Sequence, residues 1–240
     1  LCMPSRVSML TGQYPSKLGI PWMGVPVPEN VRTLPDLLNG YTSANIGKLH
    51  FLPHANRDHR EPHPSYGFDH LEISDEPGVY EDAYRAWARL RKPDQMDMLS
   101  VGLPPTTSVW QRMMGLDDGI HHRVTGERDD YAALVLFPGD DDMTHTAFVA
   151  DQTIDYIRRQ ANGTQPFLCI AGFYSPHPPL VVPQTYLSMY DSSALPLPDY
   201  PSQIEVQRVD DRRFSDDHLR IVKQGYYAMI TEVDHHIGHI

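Results

Sequence analysis

The run Pro166-Phe167-Leu168-Cys169-Ile170-Ala171-Gly172-Phe173-Tyr174 constrains this chain more than any other stretch. It is apolar at every step rather than at alternate steps. That pattern suits a strand covered on both faces, as in the interior of a parallel sheet. A parallel strand needs a crossover, and the preceding residues supply one. Thr144 is a good N-cap, and Ala147, Ala150, Ile154, Ile157 and Ala161 follow at helical spacing up to Gly163. Other segments repeat the alternation. A helix is expected from Ser5 to Leu10, with Cys2 just ahead of it and Gly12 as its stop. A short helix over 33–39 closes at Gly40, and a strand follows over 41–46. Ser215, followed by Asp216 and Asp217, caps a long helix. Its apolar face reads Leu219, Val222, Tyr226, Met229, Val233, Ile237 and Ile240. The order helix, strand, helix, strand, helix gives an α/β fold with a site at the carboxyl ends of its strands. Residues 53–130 read as irregular and polar, with a short helix near 81–90.

A chain of 240 residues can bury a sizeable core, and 40% hydrophobic with 21% charged residues fits a globular domain. No stretch is long and apolar enough to span a bilayer. The net charge of −11 matches neither nucleic acid nor an anionic membrane surface. It also requires that any anionic substrate meet locally concentrated positive charge. Two cysteines, Cys2 and Cys169, make no disulfide framework, and Cys169 reads as an inert thiol within its strand.

Cys2 is different. In Cys2-Met3-Pro4-Ser5-Arg6, continuing to Leu10-Thr11-Gly12, a small nucleophile stands at a helix N-terminus. The backbone N–H groups and dipole there favour an anion, and Arg6 adds a forked cation one turn on. Residue types alone leave room for a plain cysteine hydrolase with a base beside the thiolate. Two further elements carry chemistry. Gly47-Lys48-Leu49-His50 follows a strand and sets Lys48 and His50 two apart, on the same side of an extended chain. Ser175-Pro176-His177-Pro178 ends the buried strand in a histidine pinned by prolines.

Together these stretches resemble the signature of the sulfatases. Cys-x-Pro-Ser-Arg with Leu-Thr-Gly, Gly-Lys-x-His and Pro-His-x-Pro all have counterparts here. The resemblance implies an alkaline-phosphatase-like sandwich, a central mostly parallel sheet flanked by helices. Residues 1–240 would be part of a single catalytic domain, truncated at both ends and lacking the N-terminal strand and the C-terminal portion. It implies that Cys2 is oxidised to formylglycine by a formylglycine-generating enzyme. A hydrated aldehyde offers one hydroxyl to attack sulfur and a second whose deprotonation expels sulfate. Cys2, Arg6 and His50 are then catalytic, His50 as base in the elimination, while Lys48 and His177 bind the sulfate or ester oxygens. The implied cofactor is Ca2+, with Mg2+ or Mn2+ as substitutes. Cys2, as formylglycine, is the one metal ligand expected within the chain, and paired aspartates outside it are expected to supply the others. The 240 residues alone are therefore expected to bind calcium poorly and to be inactive.

The implied substrate is an aryl or carbohydrate sulfate ester, on a small molecule or a glycan. Two alternatives remain: a formylglycine phosphonate monoester hydrolase or phosphodiesterase, and a non-catalytic homologue that binds sulfated glycans. Many members of the family are periplasmic or secreted, so export is the expectation. Four remaining features have weaker readings. Asp140, Asp141 and Asp142 read as a solvated loop rather than a cation site. His235, His236 and His239 read as surface histidines rather than zinc ligands. His54, His59, His63 and His70 either border the substrate pocket or are solvated. Asn162-Gly163-Thr164 fits a glycosylation sequon.

Overall fold

The computed structural model describes residues 2–54, 61–100, 134–204 and 215–240. Its centre is a three-stranded parallel sheet of order β2-β1-β4: β1 is Thr42–Gly47, β2 is His70–Ile73 and β4 is Phe167–Gly172. The register sets Ala44 opposite His70 and Cys169, and Gly47 opposite Ile73 and Gly172. A second parallel pair joins β3 (Leu134–Leu136) to β5 (Leu180–Val182). The helices are α1 (Cys2–Thr11), α2 (Leu34–Leu37), α3 (Ala83–Arg91), α4 (His145–Gln160), α5 (Gln184–Leu187) and α6 (Asp216–Ile237).

This is the expected α/β order, with three strands more than the sequence patterns announce. The short β2, β3 and β5 lack a periodicity long enough to read. The capping expectations hold. Thr144 Oγ1 accepts from Ala147 N at 3.1 Å and opens α4, and Ser215 does the same for His218 N at 3.3 Å in α6. Helix α1 begins at Cys2, three residues earlier than expected. Pro4 does not delay it, because a first-turn proline lacks only an N–H that has no intrahelical partner.

Two faces differ from the pattern. Strand β4 is only partly buried along most of its length, with Phe167 36% exposed, because it borders the described sheet instead of lying within it. In α6 the buried residues are Gly225, Ala228, Met229 and Glu232, while Tyr226, Ile237 and Ile240 lie exposed. Small side chains decide this. A Cβ at Gly225 would stand 2.8 Å from Leu134 Cδ1, so the glycine lets α6 sit directly on the β3–β5 pair.

Two cores flank the sheet. Ala44 and Ile46 of β1 pack with Tyr84, Trp87, Phe148, Val149 and Tyr156 from α3 and α4. A second cluster joins Val7 and Leu10 of α1 to Leu49, Phe51 and Ile20. Each such side chain contributes about 1.5–3 kcal/mol when fully buried. This second cluster matters for function, because it clamps α1 against the chain that leaves β1. Among the described residues no helix is long and apolar enough to cross a membrane.

Candidate active site at the carboxyl end of the sheet

Strands β1 and β4 end in a tight junction. A Cβ on Gly47 would lie 2.3 Å from Gly172 O, and one on Gly172 would lie 2.4 Å from Lys48 O. Two glycines therefore let the strands close, and Lys48 N donates to Gly172 O at 2.7 Å. The freed Lys48 carbonyl accepts from Arg6 Nη1 at 2.8 Å, which ties α1 to the strand end.

Packing of Val7 and Leu10 on Leu49 and Phe51 then brings Cys2 to His50, 48 residues away in sequence. Cys2 Sγ lies 3.0 Å from His50 Nδ1. Cys2 is half-buried in the first turn of α1, where backbone N–H groups lack helical partners. His50 is buried. Loss of solvent, followed by the charge of His54, pushes its imidazole down to about 3. It is neutral at pH 7.

Alternation along a strand does not explain how Lys48 and His50 meet. The strand ends at Gly47, and His50 has a left-handed backbone with φ 54°. The segment after β2 gathers them instead. Asp75 Oδ1 accepts from both Leu49 N and His50 N at 2.8 Å. Lys48 Nζ donates to Asp75 O at 2.9 Å and to Glu76 Oε1 at 3.2 Å, and it lies 4.5 Å from the centre of the Tyr174 ring. Lys48 is thus only 2% exposed, its charge met by Glu76. His54 Nε2 lies 3.0 Å from the same Glu76 oxygen, and its ring stands 4.3 Å from that of His50. The Tyr174 hydroxyl lies 3.0 Å from Glu76 Oε2 and 2.8 Å from Pro178 O and shares its one proton between these two acceptors. Its ring stands 4.7 Å from that of His177. Burial alone would raise Glu76, but hydrogen bonds and charge from His54 and Lys48 outweigh it and hold the carboxyl well below its usual range. Burial, then the charge of Lys48, lowers His177.

All five residues singled out in the sequence therefore gather at one end of the sheet. The electrostatics differ from a simple convergence of cations. His50 is neutral, His177 is shifted toward neutral, and Lys48 is paired. Sequence reading missed Asp75, Glu76 and Tyr174. Two adjacent carboxylates after the short β2 carry no recognisable spacing, and Tyr174 looks like one more apolar strand residue.

The remaining candidates separate. His54 belongs to the site. His70 sits at the other end of β2, 5.7 Å from Tyr156 ring to ring, and His63 Nδ1 lies 2.8 Å from Pro64 O. His59 lies outside the described residues. Asp140 and Asp142 each meet Lys92 Nζ at 2.7 Å, so a lysine bridges two of the three carboxylates of that acidic loop. His235, His236 and His239 cluster on α6 and just beyond it. Burial raises Cys169 to about 11, in keeping with an inert thiol.

Among the described residues no three His, Cys, Asp or Glu side chains come together to hold a metal ion. Asp75 Oδ1 and both carboxylate oxygens of Glu76 already accept from protein donors. These residues do not form a calcium site by themselves. The position of Cys2 does fit a formylglycine: it is small, accessible, at a helix start and beside an imidazole.

The fold is α/β and alkaline-phosphatase-like, with a parallel sheet and flanking helices, and a cysteine and a neutral histidine stand at the carboxyl end of that sheet. A sulfatase family model matches residues 1–240, and the chain belongs to that family. It is 26% identical to an arylsulfatase of Clostridium perfringens, covering 99% of this chain and 48% of that protein. It is 23% identical to a choline-sulfatase of Rhizobium meliloti, over 100% of the chain and 44% of the relative. The chain thus spans less than half the length of these relatives. Among solved structures, the phosphonate monoester hydrolase of Silicibacter pomeroyi superposes with a TM-score of 0.67 at 22% identity, covering 100% of this chain and 49% of the other. A second structure, in complex with its substrate D-glucosamine-2-N,6-O-disulfate, has a TM-score of 0.53 at 17% identity, over 100% and 51% of the two chains.

Proposed function

We propose that the protein hydrolyses sulfate esters, using a formylglycine made from Cys2 by a formylglycine-generating enzyme. The observation that carries this reading is the 3.0 Å contact between Cys2 Sγ and the neutral His50 imidazole, in a chain of the sulfatase family. On this reading residues 1–240 form part of a single catalytic domain. The formylglycine, when present, supplies a hydrated aldehyde with one hydroxyl for attack on sulfur and one for release.

The chain's own residues do the rest. His50, neutral and buried, takes a proton from the group at position 2. Arg6 braces α1 against the strand end, so the start of that helix faces the reacting group with its unpaired N–H donors. Lys48 keeps the Glu76–Tyr174–His177 side of the site in place and lends positive charge to oxygens that come near it. His177, packed against Tyr174, is the residue we assign to contact the sulfate or the ester oxygen. The metal ligands beyond position 2 are assigned to no described residue. Aryl and carbohydrate sulfates are the substrate classes we propose, in line with the arylsulfatase relative and the sugar-sulfate complex.

The test uses the intact protein, produced with a formylglycine-generating enzyme and supplied with calcium. Hydrolysis of a chromogenic aryl sulfate is measured beside the matching phosphonate monoester, with Cys2→Ala as control. We expect faster cleavage of the sulfate and loss of turnover to background in Cys2→Ala. Preference for the phosphonate would replace the sulfatase reading with that of a phosphonate hydrolase. Turnover of neither, with the aldehyde confirmed by mass at position 2, would exclude aryl esters and leave sulfated sugars.

A further inference from the structure

We propose that Asp75 is a positioning residue: its carboxylate holds the backbone of residues 49 and 50 in the one conformation that aims His50 at position 2. The inference deepens the reading above and relies on it only for the choice of substrate.

His50 has φ 54°, in the left-handed region that a side chain with a Cβ seldom occupies. Such a conformation is strained and persists only where its surroundings over-determine it. Here the surroundings are a single carboxylate oxygen. Asp75 Oδ1 accepts at 2.8 Å from Leu49 N and at 2.8 Å from His50 N, so two successive peptide groups point at one atom. Bonds to an ionised acceptor are about twice as strong as neutral ones. Asp75 is 1% exposed, and although burial opposes its charge, His50, His54 and Lys48 hold its carboxyl below the usual value.

The clamp is itself anchored at both ends. Ser74 N donates to Gly47 O at 3.1 Å, continuing the β1–β2 ladder by one step, so the parallel register fixes where Asp75 falls. The Ser74 hydroxyl donates to Asp82 Oδ2 at 2.7 Å, which ties the turn to the start of α3. On the other side, the Leu49 side chain is 1% exposed among Val7, Leu10 and Phe51. With the peptide gripped on one face and its side chain on the other, His50 Nδ1 is left facing Cys2 Sγ. An alternative role for Asp75, as a charge that raises the proton affinity of His50, predicts a different response to removing the charge alone.

The experiment separates the two. Asp75→Asn keeps an acceptor oxygen for both amides and removes the charge. Asp75→Ala removes both, and Asp75→Ser is too short to reach both amides. Two readouts are taken on the intact protein. In protein made without the formylglycine-generating enzyme, the rate of Cys2 alkylation by iodoacetamide is followed by mass, with His50→Ala as the reference. In matured protein, kcat and KM are measured on the aryl sulfate and the phosphonate, with aldehyde content checked by mass.

We expect Asp75→Ala and Asp75→Ser to change the alkylation rate by the same factor as His50→Ala. Both should lower kcat about 100-fold, the scale of one displaced acid–base group. KM should stay within about threefold. Asp75→Asn should recover most of both losses. Equal alkylation rates in the wild type and Asp75→Ala where His50→Ala changes the rate, or an unchanged kcat in Asp75→Ala, would overturn the proposal. So would an Asp75→Asn as impaired as Asp75→Ala, which would assign the effect to charge. Should Asp75→Ala fail to fold, Asp75→Asn and Asp75→Ser carry the test. Should the wild type cleave neither substrate, the sulfate reading fails, and the alkylation arm still decides the role of Asp75.

Discussion

Two buried glutamates show how differently this fold treats the same side chain. Glu76 lies at the carboxyl end of the three-stranded sheet, with Lys48 Nζ at 3.2 Å and His54 Nε2 at 3.0 Å. Glu232 lies on α6, 1% exposed, with the Thr144 hydroxyl donating to it at 2.6 Å. The first has the Lys48 ammonium beside it and stays ionised. The second has hydroxyls, and burial pushes it up to about 7 against the pull of Thr144 and Thr146. A buried carboxyl thus either finds a cation or takes up a proton, since desolvating an unpaired charge costs several kcal/mol. The fold places the ionised glutamate beside the candidate chemistry and the protonatable one beneath it. Glu232, Thr144, His145 and Ser175 line a cavity behind the loop that carries His177.

The largest expected effect breaks the first pair. Lys48→Met leaves Glu76 buried without its lysine, and unfolding in urea should show a loss of about 3–5 kcal/mol. Adding Glu76→Leu to Lys48→Met should recover most of that loss. A double variant as weak as the single one would mean that the lysine stem and its contact with Tyr174 matter more than charge.

The next effect is a pH dependence of opposite sign. Glu232 titrates at about 7 in the folded chain against an ordinary value of 4.5, so the folded state keeps a proton that the unfolded state has lost. Its contribution is fully present below pH 4.5 and is lost as pH rises through 7. Glu232→Gln should remove that slope, so that between pH 5 and 8 the wild type falls relative to the variant by up to about 3 kcal/mol. Urea titrations at the two pH values measure it. Glu76 acts in the other direction. Its folded value is depressed, so its contribution is present above 4.5 and is lost as pH falls below it.

A smaller loss, about 1–2 kcal/mol, is expected for Thr144→Ala, which removes the N-cap of α4 together with the hydroxyl that Glu232 accepts. Thermal melts at pH 6 read it out. The smallest effect belongs to Lys92→Ala. That lysine meets Asp140 and Asp142 in open solvent, where an ion pair is screened, and the unfolding midpoint should stay within experimental scatter.

These contrasts also mark what sequence reading can reach. Helices α4 and α6, their Thr144 and Ser215 caps and strands β1 and β4 follow from caps and periodicity, which act over a few residues. The list Cys2, Arg6, Lys48, His50 and His177 was legible for another reason: each sits in a short stretch that resembles part of the sulfatase signature. The buried face of α6 was legible only in part, at Met229 and Val222. A helical wheel ranks side chains by hydrophobicity, whereas close packing on β3 and β5 selected Gly225 and Ala228 for their size.

The sequence by itself therefore determined the α/β order and which residues have the chemistry for a site, because those depend on local propensity and side-chain type. The tertiary structure decided how the site works. The β1–β2 register delivers Asp75 to the amides of Leu49 and His50, and the packing of α1 brings Cys2 to His50. Burial then settles which groups carry charge: His50 neutral, Glu76 ionised, Glu232 near its midpoint at pH 7. Charge states in a protein interior depend on which groups become neighbours and how much water is left around them, and neither exists until the chain has folded.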